Sequence, residues 1–155
     1  MKFLVDLPLG GLAKWLRFCG FDTTEVRLAP AAPGTLPPPA PDTCILTRRQ
    51  AFARLARPDL LILAAETPEA QLREVLGRLK IPRRRLDFLS RCSRCNDLLA
   101  PVDREQVLGL VPEYVFHTHR RFYECPRCHR LFWPGSHLQG IAKKIGEGGQ
   151  GSQSP

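Results

Sequence analysis

The sequence predicts an α/β fold, a small parallel sheet flanked by helices, followed by a compact module built around four cysteines. Three observations carry this. Short apolar runs alternate with helical patterns over residues 1–81, and strand–helix alternation is the pattern of a parallel sheet with covering helices. Two Cys-x-x-Cys pairs, Cys92/Cys95 and Cys125/Cys128, are separated by 29 residues. Arg83-Arg84-Arg85 lies between the two regions and marks a shift toward basic composition.

The first strand is Phe3-Leu4-Val5, ending at Asp6. Leu9, Leu12, Ala13 and Leu16 then recur at helical spacing, with Lys14 and Arg17 off the stripe. Gly20 is placed to stop that helix. Residues 29–41 hold six prolines in thirteen positions. Proline lacks an N–H and fixes φ, so the segment reads as an extended, mobile loop. Cys44-Ile45-Leu46-Thr47 is the second strand, a short helix follows over 48–56, and Leu60-Leu61-Ile62-Leu63 is the third strand. Thr67-Pro68-Glu69 predicts a helix start: a hydroxyl cap, proline at the first turn and an acid at the positive dipole end. Leu72, Val75, Leu76 and Leu79 form its apolar face, and Pro82 ends it.

The chain thus divides into an α/β domain (1–81), a basic linker (82–87), a cysteine module (88–140) and a tail (146–155) rich in Gly, Ser and Gln that reads as disordered. Within the module, Asp103 with Gln106 predicts a capping box on a short helix. His117 and His119 alternate in Tyr114–His119, a run that would place both on one face of a strand.

The 155 residues, 43% of them apolar, suffice for one domain or a small domain with an appendage. No run approaches the roughly 20 apolar residues of a membrane span. Asp6 comes too early for a signal-peptide core. A soluble, cytoplasmic protein is therefore expected, in which paired cysteines are metal ligands rather than disulfides. Cys19 and Cys44, in apolar contexts, read as small buried hydrophobes.

The formal charge is +8. Residues 1–81 hold eleven Lys/Arg against eight Asp/Glu, and residues 82–145 hold twelve against six. A basic module points to a polyanionic partner, with nucleic acid first. A solvated surface is the plainer alternative.

Two residues between cysteines let one tight turn aim both sulfurs at one ion, and four thiolates satisfy tetrahedral zinc with no open position. Cys92, Cys95, Cys125 and Cys128 are thus the expected ligands of a structural zinc. Asn96 and His129 follow the pairs, at positions that often need positive φ. Arg94 and Arg127 would offset the thiolate charge. Cys125-Pro126-Arg127-Cys128-His129 also matches a haem-attachment pattern, but the matching first pair argues for zinc. A thiol redox role would need only one pair. Phe122, Tyr123, Phe132 and Trp133 are core for the small module, with base stacking as the alternative.

Lys2-Phe3-Leu4-Val5-Asp6, Leu9–Arg17 and Gly20–Thr23 resemble the opening of the Mut-seven C-terminal RNase domain family. Ile45–Arg48, Gln71–Leu76, Arg91–Asn96, Phe122–Cys128 and Trp133–His137 resemble its later motifs. The resemblance implies a PIN-like nuclease fold with a C-terminal zinc ribbon. It also implies RNA as substrate, and phosphodiester hydrolysis by Mg²⁺ or Mn²⁺ held on carboxylates at strand ends. Asp6 is the first such carboxylate, and Asp22 is the second candidate, from a loop. The family pattern places an aspartate after Leu46-Thr47-Arg48, where this chain has Arg49. A cation there would repel a metal ion and pair with Asp6. Glu25 or Asp42 would then have to substitute. The exposed-charge candidates for phosphate contact are Arg83, Arg84, Arg85, Arg120 and Arg121. The alternative is a catalytically inactive module that binds nucleic acid or a protein.

Overall fold

Alternation along the first strand divides two cores. Phe3 and Val5 are fully buried on one face, and Leu4 is half-buried on the other. The computed structural model describes residues 1–30, 32 and 36–147. The sheet is built from β1 (Lys2–Asp6), β2 (Asp22–Val26), β3 (Thr43–Thr47) and β4 (Leu60–Ile62). All pairs are parallel, in the order β2-β1-β3-β4. Helix α1 (Gly10–Phe18) crosses from β1 to β2, and α2 (Pro68–Arg78) follows β4.

The stripe Leu12, Ala13 and Leu16 of α1 packs with Leu72, Val75 and Leu76 of α2 over Phe3, Val5 and Leu46. The opposite face is covered without an α-helix. Phe52, from the short 3-10 helix Gln50–Leu55, joins Leu28, Leu36 and Ile45 there. Leu36 comes from the proline-rich segment, whose described residues form neither helix nor strand but bury this one side chain.

Strand β2 is the element that the apolar runs do not reveal. Asp22-Thr23-Thr24-Glu25-Val26 carries charge and hydroxyls because it is an edge strand, and only Thr23 is buried. Asp22 therefore lies in a strand, not a loop. The start of α2 has the expected cap, Thr67 Oγ1 accepting from the Ala70 N–H at 3.3 Å. Gly20 ends the first helical segment at φ 90°, and a Cβ there would sit 2.5 Å from the Asp87 carbonyl.

The cysteine module forms an antiparallel sheet, β5 (Ala100–Val102), β6 (Phe122–Glu124) and β7 (Leu131–Phe132), in that order. Phe122 and Phe132 are buried in it, on the two faces. Helix α3 (Glu113–Thr118) covers one face, so His117 is on a helix and His119 at its C-terminal cap, not on a strand. Pro112 and the Glu113 side chain begin that helix, a local start that outweighs the β-prone Tyr-Val-Phe run. The short helix after Asp103 exists as a 3-10 turn, Arg104–Val107, but Asp103 makes no side-chain cap bond. Helix α4 (Ser136–Glu147) runs beyond residue 140 and takes in the first two residues of the expected tail. Its Ile145 packs on the main core, and Lys144 Nζ lies 3.1 Å from Glu69 Oε2. Residues 148–155 of that tail lie outside the described residues. No helix among the described residues is long and apolar enough to cross a membrane.

Candidate functional site

In an open parallel sheet, ligands bind at the carboxyl ends of the strands, where the strand order reverses. Here the chain goes from β1 outward to β2, then to β3 on the other side, so the switch lies between β1 and β3. Asp6 ends β1 and Thr47 ends β3 at that place. A cleft of about 360 Å³ opens there, lined by Asp6, Arg48, Arg49, Glu66 and Gln71.

Asp6 is 1% exposed. Its Oδ2 accepts from the Thr47 hydroxyl at 2.9 Å and from Arg49 Nε at 2.7 Å. Thr47 Oγ1 in turn accepts from the Arg49 backbone N–H at 3.1 Å, which holds the arginine over the carboxylate. Asp6 Oδ1 is buried with no hydrogen-bond partner. Glu66 is exposed, and Arg48 Nη2 lies 3.7 Å from its Oε1. Two carboxylates and two guanidiniums make the cleft formally neutral, which does not favour a hard divalent cation. Among the described residues, the only cluster of three or more metal-ligating side chains is the four cysteines.

Asp22 does not join Asp6. The register pairs Asp22 with Lys2 and Asp6 with Val26, so the two acids are separated by about 13 Å along the strands at roughly 3.3 Å per residue. Asp22 Oδ1 accepts from Asn96 Nδ2 at 2.7 Å instead. Glu25 is taken by Arg17 Nη2 at 3.3 Å. Asp42 precedes β3, at the amino end of the sheet. Glu66 and Gln71 are the cleft residues that sequence reasoning missed. Glu66 stands just past the apolar run Leu60–Leu63, and an acid after a parallel strand was the available signal.

The cysteine cluster repeats one local geometry twice. Asn96 N–H donates to Cys92 O at 2.9 Å, and His129 N–H donates to Cys125 O at 2.9 Å. Cys92 N–H donates to Asp97 O, and Cys125 N–H to Arg130 O. Asn96 has φ 68° and His129 φ 57°, as the turns require. All four sulfurs lie within 4.8 Å of one another, and Cys92 and Cys128 are 3.8 Å apart. Tetrahedral zinc with bonds of about 2.3 Å has sulfur–sulfur edges of about 3.8 Å. The donor set and spacing thus fit a metal ion and are consistent with a zinc ribbon. The Arg130 N–H draws the Cys128 thiol down to about 7, toward the thiolate a metal needs. Desolvation pushes Cys92 up and Cys95 up to about 12, and the neighbouring sulfurs add to this. Arg127, expected to offset the thiolate charge, is paired with a carboxylate, its Nε 2.9 Å from Asp97 Oδ2. Cys19 and Cys44 are buried, and burial pushes their thiols up to about 12 and about 11.

The profile of the Mut7-C RNAse domain family matches residues 1–145 of the chain. The chain belongs to that family. Neither a curated protein nor a solved structure matches it.

The parallel sheet and the first Cys-x-x-Cys turn are joined by hydrogen bonds the sequence did not announce. Arg17, 7% exposed, donates to Thr23 O at 3.0 Å and to Ser93 O and Arg94 O at 3.3 Å each. Asn96 Oδ1 accepts from the Thr23 N–H at 3.0 Å. The first Cys-x-x-Cys turn is therefore clamped to the edge strand β2. Arg83, Arg84 and Arg85 form an exposed 3-10 turn, and Arg120 and Arg121 are exposed ahead of β6. Among the described residues none of these five is ion-paired to a carboxylate.

Proposed function

We propose that the protein is an RNA-binding member of this family in which the strand-end cleft is closed to the divalent cation that hydrolysis needs. The observation that carries the reading is the 2.7 Å pair between Arg49 Nε and Asp6 Oδ2. A guanidinium occupies the place where the resemblance implies an aspartate, and Arg48 neutralises the second acid of the cleft, Glu66. RNA binding is supported by family membership, by the net charge of +8 and by the exposed Arg83, Arg84, Arg85, Arg120 and Arg121. These arginines hold phosphates and read no sequence. Zinc on Cys92, Cys95, Cys125 and Cys128 is structural in this reading, because four thiolates leave no position for substrate. A reducing cytoplasm is the compartment that keeps those thiols available.

One observation favours a second reading, hydrolysis assisted by Mg²⁺ or Mn²⁺: Asp6 Oδ1 is buried and unpartnered. The test uses zinc-loaded native chain and Asp6→Asn with labelled single-stranded RNA, with and without Mn²⁺ or Mg²⁺. The expected outcome is binding that weakens steeply with salt, and no cleavage. Replacing Arg83, Arg84 and Arg85 by alanine should shallow the log–log salt slope by about 0.7 for each phosphate that is no longer neutralised. Cleavage by the native chain that disappears in Asp6→Asn would establish the second reading. Failure to bind RNA at low salt would sink both and leave a protein-binding ribbon.

A further inference from the structure

We propose that the ribbon holds a pocket for one unpaired nucleobase, one that prefers guanine to uracil. The inference rests on the RNA-binding reading and adds a base-reading site to it. In the β5-β6-β7 sheet, Val102 lies opposite Phe122 and Leu131 opposite Glu124. Alternation puts these residues and Trp133 on one face. Val107, Val111 and Val115 cover the Phe122 end of that face.

A cavity of about 550 Å³ remains on that face, with Val102, Val107, Leu131 and Trp133 as walls and Gln106 and Glu124 among its polar groups. That volume is within the range of about 300–1,000 Å³ typical of small-ligand sites. A cavity with an indole in its wall suits the flat face of a base, and the polar side chains of its lining, Gln106, Glu124 and His129, suit its edge.

The polar groups select among bases. Glu124 Oε1 is held by His129 Nδ1 at 2.8 Å, while Oε2 makes no hydrogen bond among the described residues. A carboxylate only accepts. Guanine presents two adjacent N–H donors on its pairing edge, N1–H and the N2 amino group. Uracil presents a single N–H between two carbonyl oxygens, which a carboxylate repels. At the rim Leu110 also lines the cavity, and Leu108 and Leu110 are 67% and 70% exposed. Exposed apolar surface of this kind marks a contact site, here for a neighbouring base. The net basic charge of residues 82–145 gives the RNA backbone a favourable field.

The test exploits the two tryptophans of the chain, Trp15 and Trp133. Trp15→Phe in the full zinc-loaded chain leaves Trp133 as the sole indole reporter. The probes are the RNA pentamers UUGUU and UUUUU. The expected result is Trp133 quenching, with UUGUU binding about ten-fold tighter than UUUUU. Glu124→Gln should erase that preference, because an amide weakens the contact with guanine and removes the repulsion that uracil meets; an undiminished preference for UUGUU would overturn the pocket. Leu110→Glu, at a largely exposed position that leaves the core intact, should weaken both pentamers. Equal affinities and no quenching, with salt-dependent RNA binding retained, would overturn the pocket and leave the RNA-binding reading standing. Loss of all RNA binding in the native chain would overturn both.

Discussion

Replacing Asn96 by alanine is expected to cost about 4 kcal/mol of folding stability in the zinc-loaded chain. Asn96 does two things at once. Its backbone sits at φ 68°, and its side chain bridges the metal turn to the edge strand through Thr23 N–H and Asp22 Oδ1. A neutral hydrogen bond contributes about 1 kcal/mol and one to a carboxylate about 1.5–3 kcal/mol. Asp22 is only half-buried and can rehydrate, so the lower end applies to it. Alanine held in the left-handed region costs a further 1–2 kcal/mol or so. Asn96→Gly removes the same two bonds without that backbone cost. Its extra freedom when unfolded takes back roughly 0.5–1 kcal/mol, so it should cost about 3 kcal/mol. His129 supplies the control, because it has φ 57° in the second metal turn and its one side-chain bond, to Glu124, stays within the ribbon. His129→Gly should stay within about 1 kcal/mol of the native chain. The assay is urea unfolding at fixed zinc, followed by far-ultraviolet circular dichroism. A loss under about 1 kcal/mol for Asn96→Ala, or an equal loss for His129→Ala, would refute the bridge.

Two further outcomes follow from the geometry. Burial works against the Glu74 carboxylate. It is more than offset by the Ala65 and Ala64 N–H groups and by Arg78, so the group is held below its ordinary range. A lowered folded pKa contributes stability above the unfolded value and loses it as pH falls through the folded one. Native chain should therefore lose its advantage over Glu74→Gln below about pH 4, near the ordinary glutamate value, as read by urea unfolding at stepped pH; a constant gap would contradict the assignment. Zinc removal by a chelator should unfold the ribbon and also loosen β2, because Asp22 and Thr23 are tied to Asn96. Hydrogen exchange should show amides of residues 22–26 losing protection along with those of 92–96, and unchanged protection in β2 would count against the coupling.

The sequence alone determined the pieces whose chemistry is local. The paired cysteines, their positive-φ followers Asn96 and His129, the Thr67 cap and the Gly20 stop all depend on a few neighbouring residues. So do the apolar faces of α1 and α2, whose period is written in the chain. Family membership was legible for the same reason, since its motifs are short and contiguous. The placement of Arg49 against Asp6 was also anticipated, from what stands at one motif position. Tertiary structure decided the rest. Strand β2 exists because it pairs with β1, and no apolar period in Asp22–Val26 announces it. Asp22 and Asp6, close in motif, are held at opposite ends of one strand pair by register. Glu66 reaches the cleft from sixty residues away, and His117 lies on a helix because Pro112 and Glu113 favour a helical start there. Arg17 and Asn96 join the two parts of the chain across more than seventy residues. Local patterns report what a residue prefers among its neighbours; which distant groups it meets is set by packing and strand register, and those emerge only when the whole chain is folded.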